Sequence, residues 1–283
     1  MHTLTLASDQ PFSLDQTLGC GQVFRWRKEG NSWWYGVVDD RVIKIRQDFD
    51  RLIFEGAPRK FIRHYFSLDL DLLSILDSVD KDPFIHAAVN GCFGLRIVRQ
   101  TPWECTISYI CSTNSNIPTI SRRIASIAAI FGEKVEFEGM LYHMFPTPSS
   151  ISGECDRLKE CRLGYRYPYV LDTARAITDD QGWEEKLRCL PYDAARKELM
   201  KLRGVGPKAA DCILLFAFEK YEAFPVDVWI RRIIKQYYLP DLTIGAPLTW
   251  REYETIRSFA RSHFGAYCGY AQEYLYASRG EQT

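Results

Sequence analysis

Between residues 10 and 56 apolar and polar positions alternate. Trp33-Trp34-Tyr35-Gly36-Val37-Val38 and Arg41-Val42-Ile43-Lys44-Ile45-Arg46 read as strands, and Asp39-Asp40 between them suits a tight hairpin. Arg51-Leu52-Ile53-Phe54-Glu55 continues an antiparallel meander. Residues 58 to 90 read as helix and connector, and helical spacing takes over near residue 85. Trp103 to Ile130 carries it, with Pro102 suited to a helix start and a polar seam, Ser112-Thr113-Asn114-Ser115-Asn116, inside it. Tyr142 to Pro148 reads as a proline-punctuated loop, and Trp250 to Ser278 closes the chain in helices. The expectation is an α+β protein. Residues 1–85 form an N-terminal antiparallel β domain, and residues 86–283 form a mostly helical domain.

One stretch of the helical half carries more than packing. Ala195, Leu199 and Leu202 lie on one face of a helix that stops at Arg203-Gly204-Val205-Gly206, where two glycines allow positive φ. Pro207 suits the first turn of a second helix, which runs through Lys208, Asp211, Cys212, Leu215 and Phe218. Such a helix-hairpin-helix leaves unpaired N–H groups pointing outward. They can hold a phosphate, which makes Gly204, Gly206 and Lys208 candidate phosphate contacts. Lys208 lies near the positive end of its helix; that field and partial burial disfavour the ammonium, and a neutral amine is a nucleophile. Cys212 follows one turn later on the same face. Asp227 precedes the helical run Val228 to Tyr237 and suits its N-cap. A carboxylate beside a reaction centre can also stabilise positive charge building on a sugar. A surface lysine, an inert buried cysteine and a capping aspartate are the ordinary readings of these residues taken singly.

Composition trims the alternatives. The 283 residues are 46% hydrophobic, enough for a sizeable core, and 36 basic residues balance 36 acidic ones. A globally basic nucleic-acid protein is excluded, but a local basic face is not. The nine cysteines are scattered, with no C-x-x-C pair, which favours reduced thiols over a disulfide framework or zinc site. No four-cysteine cluster follows the hairpin, which argues against an iron–sulfur cluster. No secretory signal and no membrane-crossing apolar run are visible.

The hairpin, Lys208 and the Asp227 of Phe-Pro-Val-Asp-Val-Trp together resemble the helix-hairpin-helix DNA glycosylases with a Gly/Pro-rich loop and a catalytic aspartate. A lysine at that point marks the bifunctional members, and Ala-Asp-Cys-Ile after it is similar to the 8-oxoguanine DNA glycosylases. Gly21-Gln22-Val23-Phe24-Arg25-Trp26, Asn114, Gly164-Tyr165-Arg166 and Tyr270-Ala271-Gln272 match further motifs of that family in order, so the resemblance covers most of the chain. It implies catalysis by Lys208 and Asp227, and contacts to the flipped lesion base from Gly21, Cys212, Pro225, Gln272 and Tyr276. The Gly21 carbonyl would accept the N7–H that distinguishes 8-oxoguanine from guanine. Lys208 and Cys212 would form an ammonium–thiolate dipole. Asn114, Tyr165 and Arg166 would wedge the duplex and meet the opposite base. The backbone carbonyls of Met200, Leu202 and Val205 would hold a structural monovalent cation, with no cofactor required. The expected partner is duplex DNA containing 8-oxoguanine, met by a monomer with no membrane contact. Its place of work would be the bacterial nucleoid within the cytoplasm or, in a eukaryote, the nucleus. Thr119 departs from the arginine of the animal-type members, which implies a relaxed preference for cytosine opposite the lesion. Two other readings stand beside this one: a glycosylase for another damaged base, and a noncatalytic DNA-binding module.

Overall fold

The structure is a computed structural model that describes residues 1–30, 32–242 and 247–280. Strand β1 (His2–Thr5) and helix α1 (Leu14–Gly19) precede β2 (Trp26–Glu29), β3 (Trp33–Val38), β4 (Arg41–Asp48) and β5 (Arg51–Glu55). These strands form one antiparallel sheet in the order β1-β5-β4-β3-β2. The Asp39-Asp40 hairpin forms as expected, with Asp39 at φ +52°, a left-handed conformation that aspartate tolerates. Alternation missed the edge strands β1 and β2, each only four residues long and held by pairing to its neighbour. Gly36 on β3 lets the Trp26 ring lie against the backbone, where a Cβ would collide with it.

One face of the sheet packs on α2 (Arg59–Tyr65), joining Trp34, Ile43, Ile45, Leu52 and Phe54 to Ile62 and Phe66. Then come α3 (Leu72–Val79), α4 (Pro83–Gly91), α5 (Pro102–Ser112) and α6 (Ile117–Phe131), with the polar seam between the last two. Residues 134–143 form a small hairpin, β6 (Lys134–Phe137) and β7 (Met140–His143), so the start of the expected Tyr142–Pro148 loop is strand. Tyr142 and Met144 cover Tyr35, Val37 and Val42 on the sheet, and Lys44 pairs with Glu138 at 2.6 Å. Burial on the sheet stabilises two strands too short to stand alone. The remainder is α7 (Pro148–Ser152), α8 (Cys155–Glu160), α9 (Tyr167–Asp179), α10 (Trp183–Cys189), α11 (Tyr192–Leu199), α12 (Pro207–Ala217), α13 (Val228–Tyr237), α14 (Trp250–Phe264) and α15 (Cys268–Ala277). A single apolar core links α3 through α15, with α12 buried on all sides from Ala209 to Ala217. Leu72 and Ile75 of α3 and Ile85 of α4 belong to this core, so helical packing begins ahead of residue 85.

Arg96 ties the two bodies together. Fully buried, it donates to the carbonyls of Pro11 (3.1 Å), Ser67 (2.6 Å) and Leu70 (3.0 Å) and to Gln10 Oε1 (2.8 Å). One guanidinium thus satisfies four acceptors that burial would otherwise strand, at about 1–3 kcal/mol each. Arg96→Met should lower unfolding stability by about 3 kcal/mol or more, read from urea denaturation. A loss below about 1 kcal/mol would show that the junction is held by apolar contacts alone.

Candidate active site

Helix α11 ends at Leu199, one turn earlier than its apolar spacing implies. Leu202 lies in the following turn and donates to Leu199 O at 3.0 Å, and Val205 donates to Leu202 O at 3.1 Å. Gly204 has φ +88° and lies so close to Tyr169 that a Cβ would come within 2.7 Å of its ring. Gly206 is different: at φ −90° and ψ −178° it is extended, so the positive φ expected of both glycines holds at Gly204 alone. Gly206 is the N-cap of α12 with no capping side chain, and open space surrounds its α-carbon. The first N–H groups of α12 therefore face an approach path that a side chain would narrow. Gly204 and Gly206 line an open cleft of 520 Å³ together with Ile110, Thr113, Asn114 and Tyr165.

Lys208 stands in the first turn of α12, half-buried, with Nζ 4.8 Å from the centre of the Tyr109 ring on α5. Tyr109 is itself buried and stacked on Phe216. Between Lys208 and Cys212, Asp211 is turned into the core. It accepts hydrogen bonds from Tyr192 Oη (2.7 Å), Arg196 Nε (2.9 Å) and Tyr253 Oη (2.6 Å), which lock α11, α12 and α14 together. Tyr253 Oη also accepts the Val226 N–H at 3.3 Å. Pro225 and Val226 are buried and deliver Asp227 to the N-cap of α13. Asp227 Oδ1 accepts from Trp229 N (3.0 Å) and Ile230 N (2.8 Å), while Oδ2 takes no hydrogen bond among the described residues. Capping thus occupies only one of the two oxygens.

Lys208 and Asp227 both act electrostatically on buried Cys212 and Glu273. Burial pushes the Cys212 thiol up to about 12 despite the lysine charge beside it. That direction works against the thiolate that the resemblance implies.

The opposite wall is the segment after α1. Gly21 has φ +109°, and a Cβ there would come within 2.7 Å of Ile117 Cδ1 and 3.8 Å of Tyr276 Cε1. Gln22 fixes its position. Its amide nitrogen donates to Thr17 O (2.9 Å) and Arg96 O (2.9 Å), its side-chain oxygen accepts from Val98 N (2.9 Å), and its own carbonyl accepts from Gln100 Nε2 (2.7 Å). The Gly21 carbonyl accepts no hydrogen bond among the described residues. On α15, Gln272 is 5% exposed and its Oε1 is buried without a donor. The Watson–Crick edge of guanine brings N–H donors to such an oxygen. Tyr276, one turn on, has Arg279 stacked over its ring at 3.9 Å.

Of the residues expected to meet the opposite base, Asn114 and Tyr165 line the cleft. Asn114 is exposed at φ +50°; the cap of α6 is Asn116, which accepts from Thr119 N at 3.0 Å. Tyr165 is exposed, and the Arg166 guanidinium stacks on it at 4.2 Å. Arg166 itself is only 4% exposed and donates to Thr113 O and to Ser115 Oγ. It therefore braces the turn that carries Asn114, and must leave that turn to meet a base. Thr119 Oγ1 accepts from Arg122 at 3.1 Å.

Tyr109, Tyr253 and Glu273 were absent from the sequence-derived set. The first two lie far along the chain from Lys208 and have no spacing signal. Glu273 had one: a charged residue in the run Tyr270 to Leu275, which apart from its neighbour Gln272 is apolar and aromatic.

Comparison with known proteins agrees with this geometry. Residues 4–106 match the family model of the 8-oxoguanine DNA glycosylase N-terminal domain. A probable N-glycosylase/DNA lyase of Methanothermobacter thermautotrophicus is 32% identical over 83% of this chain and 78% of its own. The N-glycosylase/DNA lyase of Saccharomyces cerevisiae is 30% identical over 93% of this chain and 82% of its own. The crystal structure of the Clostridium acetobutylicum 8-oxoguanine glycosylase/lyase, bound to duplex DNA with cytosine opposite 8-oxoguanine, superposes with a TM-score of 0.88. It is 31% identical and covers 96% of this chain and 93% of that one. With the N-terminal sheet, the glycine hairpin and the Lys208–Asp227 site all in place, the chain belongs to the 8-oxoguanine DNA glycosylases, a family of N-glycosylase/DNA lyases.

Proposed function

We propose that the protein is a bifunctional DNA glycosylase and AP lyase that flips 8-oxoguanine out of duplex DNA, excises it and cuts the abasic strand. The observation that carries this reading is the pairing of Lys208, first-turn and set over Tyr109, with an Asp227 whose second oxygen is free. A DNA-holding module needs the hairpin but neither of these. Gly21, Cys212 and Gln272 favour 8-oxoguanine over another damaged base, because a bare carbonyl and a donorless amide oxygen suit its N–H groups.

Flipping costs roughly a few kcal/mol. Tyr165 and Asn114 entering the stack, and phosphate held at Gly204, Gly206 and the Lys208 N–H, would offset it. The base would lie between Gly21 and Cys212, with Gln272 on its Watson–Crick edge, Tyr276 on its face and Pro225 in the wall. Once Lys208 has given up its proton, its nitrogen lone pair forms a bond to C1′. The glycosidic bond breaks, and its electron pair leaves with the base, which takes up a proton. Asp227 Oδ2 stabilises the positive charge that builds on the sugar ring. The nitrogen then loses its second proton and forms the C1′=N double bond as the C1′–O4′ bond breaks, its electron pair leaving on O4′, which takes up a proton; the resulting imine acidifies C2′, and loss of a C2′ proton expels the 3′-phosphate with the C3′–O electron pair. The carbonyls of Met200, Leu202 and Val205 fit a monovalent cation. They follow the negative end of α11, and among the described residues only Leu202 O is engaged by backbone in the turn. Bound there, the cation would stiffen the hairpin beside the phosphate. The enzyme works where the chromosome is, in a nucleoid or a nucleus, and among the described residues no helix is long and apolar enough to cross a membrane.

On 8-oxoguanine duplex, borohydride should trap a covalent protein–DNA adduct. Lys208→Gln should abolish both trapping and base release while duplex binding persists; trapping by this variant at the wild-type level would exclude Lys208 as nucleophile. Asp227→Asn should slow single-turnover excision by about a hundredfold or more. It should also lower stability by less than about 1 kcal/mol, because an amide still caps.

Thr119 carries no charge and is too short for a two-pronged contact, so excision should occur opposite all four bases with cytosine favoured only modestly. Thr119→Arg should steepen the cytosine preference by roughly tenfold, one good base contact. Single-turnover rates opposite cytosine, adenine, guanine and thymine measure both. A steep preference in the wild type, unchanged in the variant, would place the discrimination in another residue.

A further inference from the structure

Helix α5 ends in a turn held by arginine side chains rather than by backbone hydrogen bonds. Its C-cap, Thr113, has φ −56° and ψ 124°, and Asn114 follows in the left-handed region at φ +50°. The chain leaves the helix so abruptly that no backbone N–H among the described residues reaches Cys111 O or Thr113 O. Two guanidiniums take their place. Arg123, in the second turn of α6, donates from Nη1 to Cys111 O (2.9 Å) and to Ser115 Oγ (2.5 Å). Arg166, just ahead of α9, donates from Nη2 to Thr113 O and to Ser115 Oγ (3.2 Å). The Ser115 hydroxyl in turn donates to Thr113 O at 3.2 Å.

A hydroxyl has one hydrogen to give and two lone pairs, so these three bonds use Ser115 Oγ fully. The two arginines are not equivalent. Arg166 can withdraw without stranding an acceptor, because Thr113 O keeps the Ser115 hydroxyl and Ser115 Oγ keeps Arg123. Withdrawal of Arg123 would leave Cys111 O, on a fully buried residue, with no donor among the described residues. Arg166 also has the stronger reason to move. Its Nε is buried without an acceptor. Neither arginine forms an ion pair among the described residues, so two like charges crowd one hydroxyl.

We infer that Arg123 is a positioning residue for recognition of the base opposite the lesion: through Cys111 O and Ser115 Oγ it keeps the Asn114 turn in shape while Arg166 swings out to that base. The inference rests on the proposed reading of Asn114 and Arg166 as contacts to the opposite base. The relay from Arg123 through the Ser115 hydroxyl to Thr113 O lets holding and reaching fall to different side chains. Because α6 follows the turn directly, a bond from its second turn back to the end of α5 closes a loop that contains Asn114, Ser115 and Asn116. Asn116 pins the far end of that loop by capping α6 through Thr119 N. Asn114 lies between the two anchors, so its exposed amide meets a base without first paying to order the turn.

The test measures single-turnover excision of 8-oxoguanine opposite cytosine and opposite an abasic-site analogue, which offers no base to meet. The readout is the ratio of the two rates within each variant, so a general loss of stability or of duplex affinity cancels. Arg123→Met should lower the ratio by about fivefold, the lower end of what one good base contact supplies, and Arg166→Met by at least as much. Arg123→Gln, a milder change that still loses the reach to both acceptors, should lower it likewise. Arg123→Lys, whose ammonium can serve both acceptors from one nitrogen, should restore most of it. A ratio that Arg166→Met lowers and that neither Arg123→Met nor Arg123→Gln changes overturns the inference, because the turn then keeps its shape without Arg123. A ratio that Arg166→Met leaves unchanged overturns the opposite-base reading itself, and a wild-type protein that releases no 8-oxoguanine overturns the glycosylase reading.

Discussion

The Asp211 carboxylate is the contact on which the site depends. It lies between Lys208 and Cys212 in sequence but points away from them, into Tyr192, Arg196 and Tyr253. Lys208 and Cys212, four residues apart, share a face of α12, and the Asp211 contacts hold that helix in place beneath them. Tyr253 carries the constraint onward by donating to Asp211 and accepting from the Val226 N–H, one residue before Asp227. Lys208 and Asp227 sit on different helices, yet a single tyrosine hydroxyl links the two helix starts. A buried carboxylate with three donors on three sides is costly to disturb, and that rigidity keeps a reacting pair in register.

A second constraint is desolvation. The site is lined by groups that burial keeps neutral or leaves without partners: the Cys212 thiol, the Glu273 carboxyl, the Gln272 amide oxygen and the Gly21 carbonyl. Each unmet acceptor costs about 1–3 kcal/mol in the free protein. In the proposed binding mode a flipped base with N–H groups at N1, N2 and N7 would meet two of them, turning that cost into selectivity for the base. Gln22 makes this possible from behind. Its hydrogen bonds to residues 17, 96, 98 and 100 hold Gly21 against Ile117 and Tyr276, where any side chain would intrude.

Most of this was legible in the chain because the chemistry is local. The hairpin, Lys208, Cys212 and Asp227 fall within one stretch, and glycine, proline and helical spacing place them without tertiary information. Gly206 shows where local reasoning ends: a glycine beside a turn need not be left-handed, and this one is extended with open space around it. Arg166 shows the same for side chains, since its motif says nothing about whether the guanidinium points to DNA or into the Asn114 turn. Strands β1 and β2 are visible only as partners of longer strands. Tyr109 and Tyr253 reach the site across the core, which no residue spacing encodes.

The central claim is that the Lys208 nitrogen becomes bonded to the sugar that carried 8-oxoguanine. The most direct measurement is mass-spectrometric mapping of the borohydride-reduced protein–DNA adduct after protease and nuclease digestion. The account predicts free 8-oxoguanine in the supernatant and a sugar remnant on the peptide containing Lys208. A remnant on another lysine or on the amino terminus would contradict it.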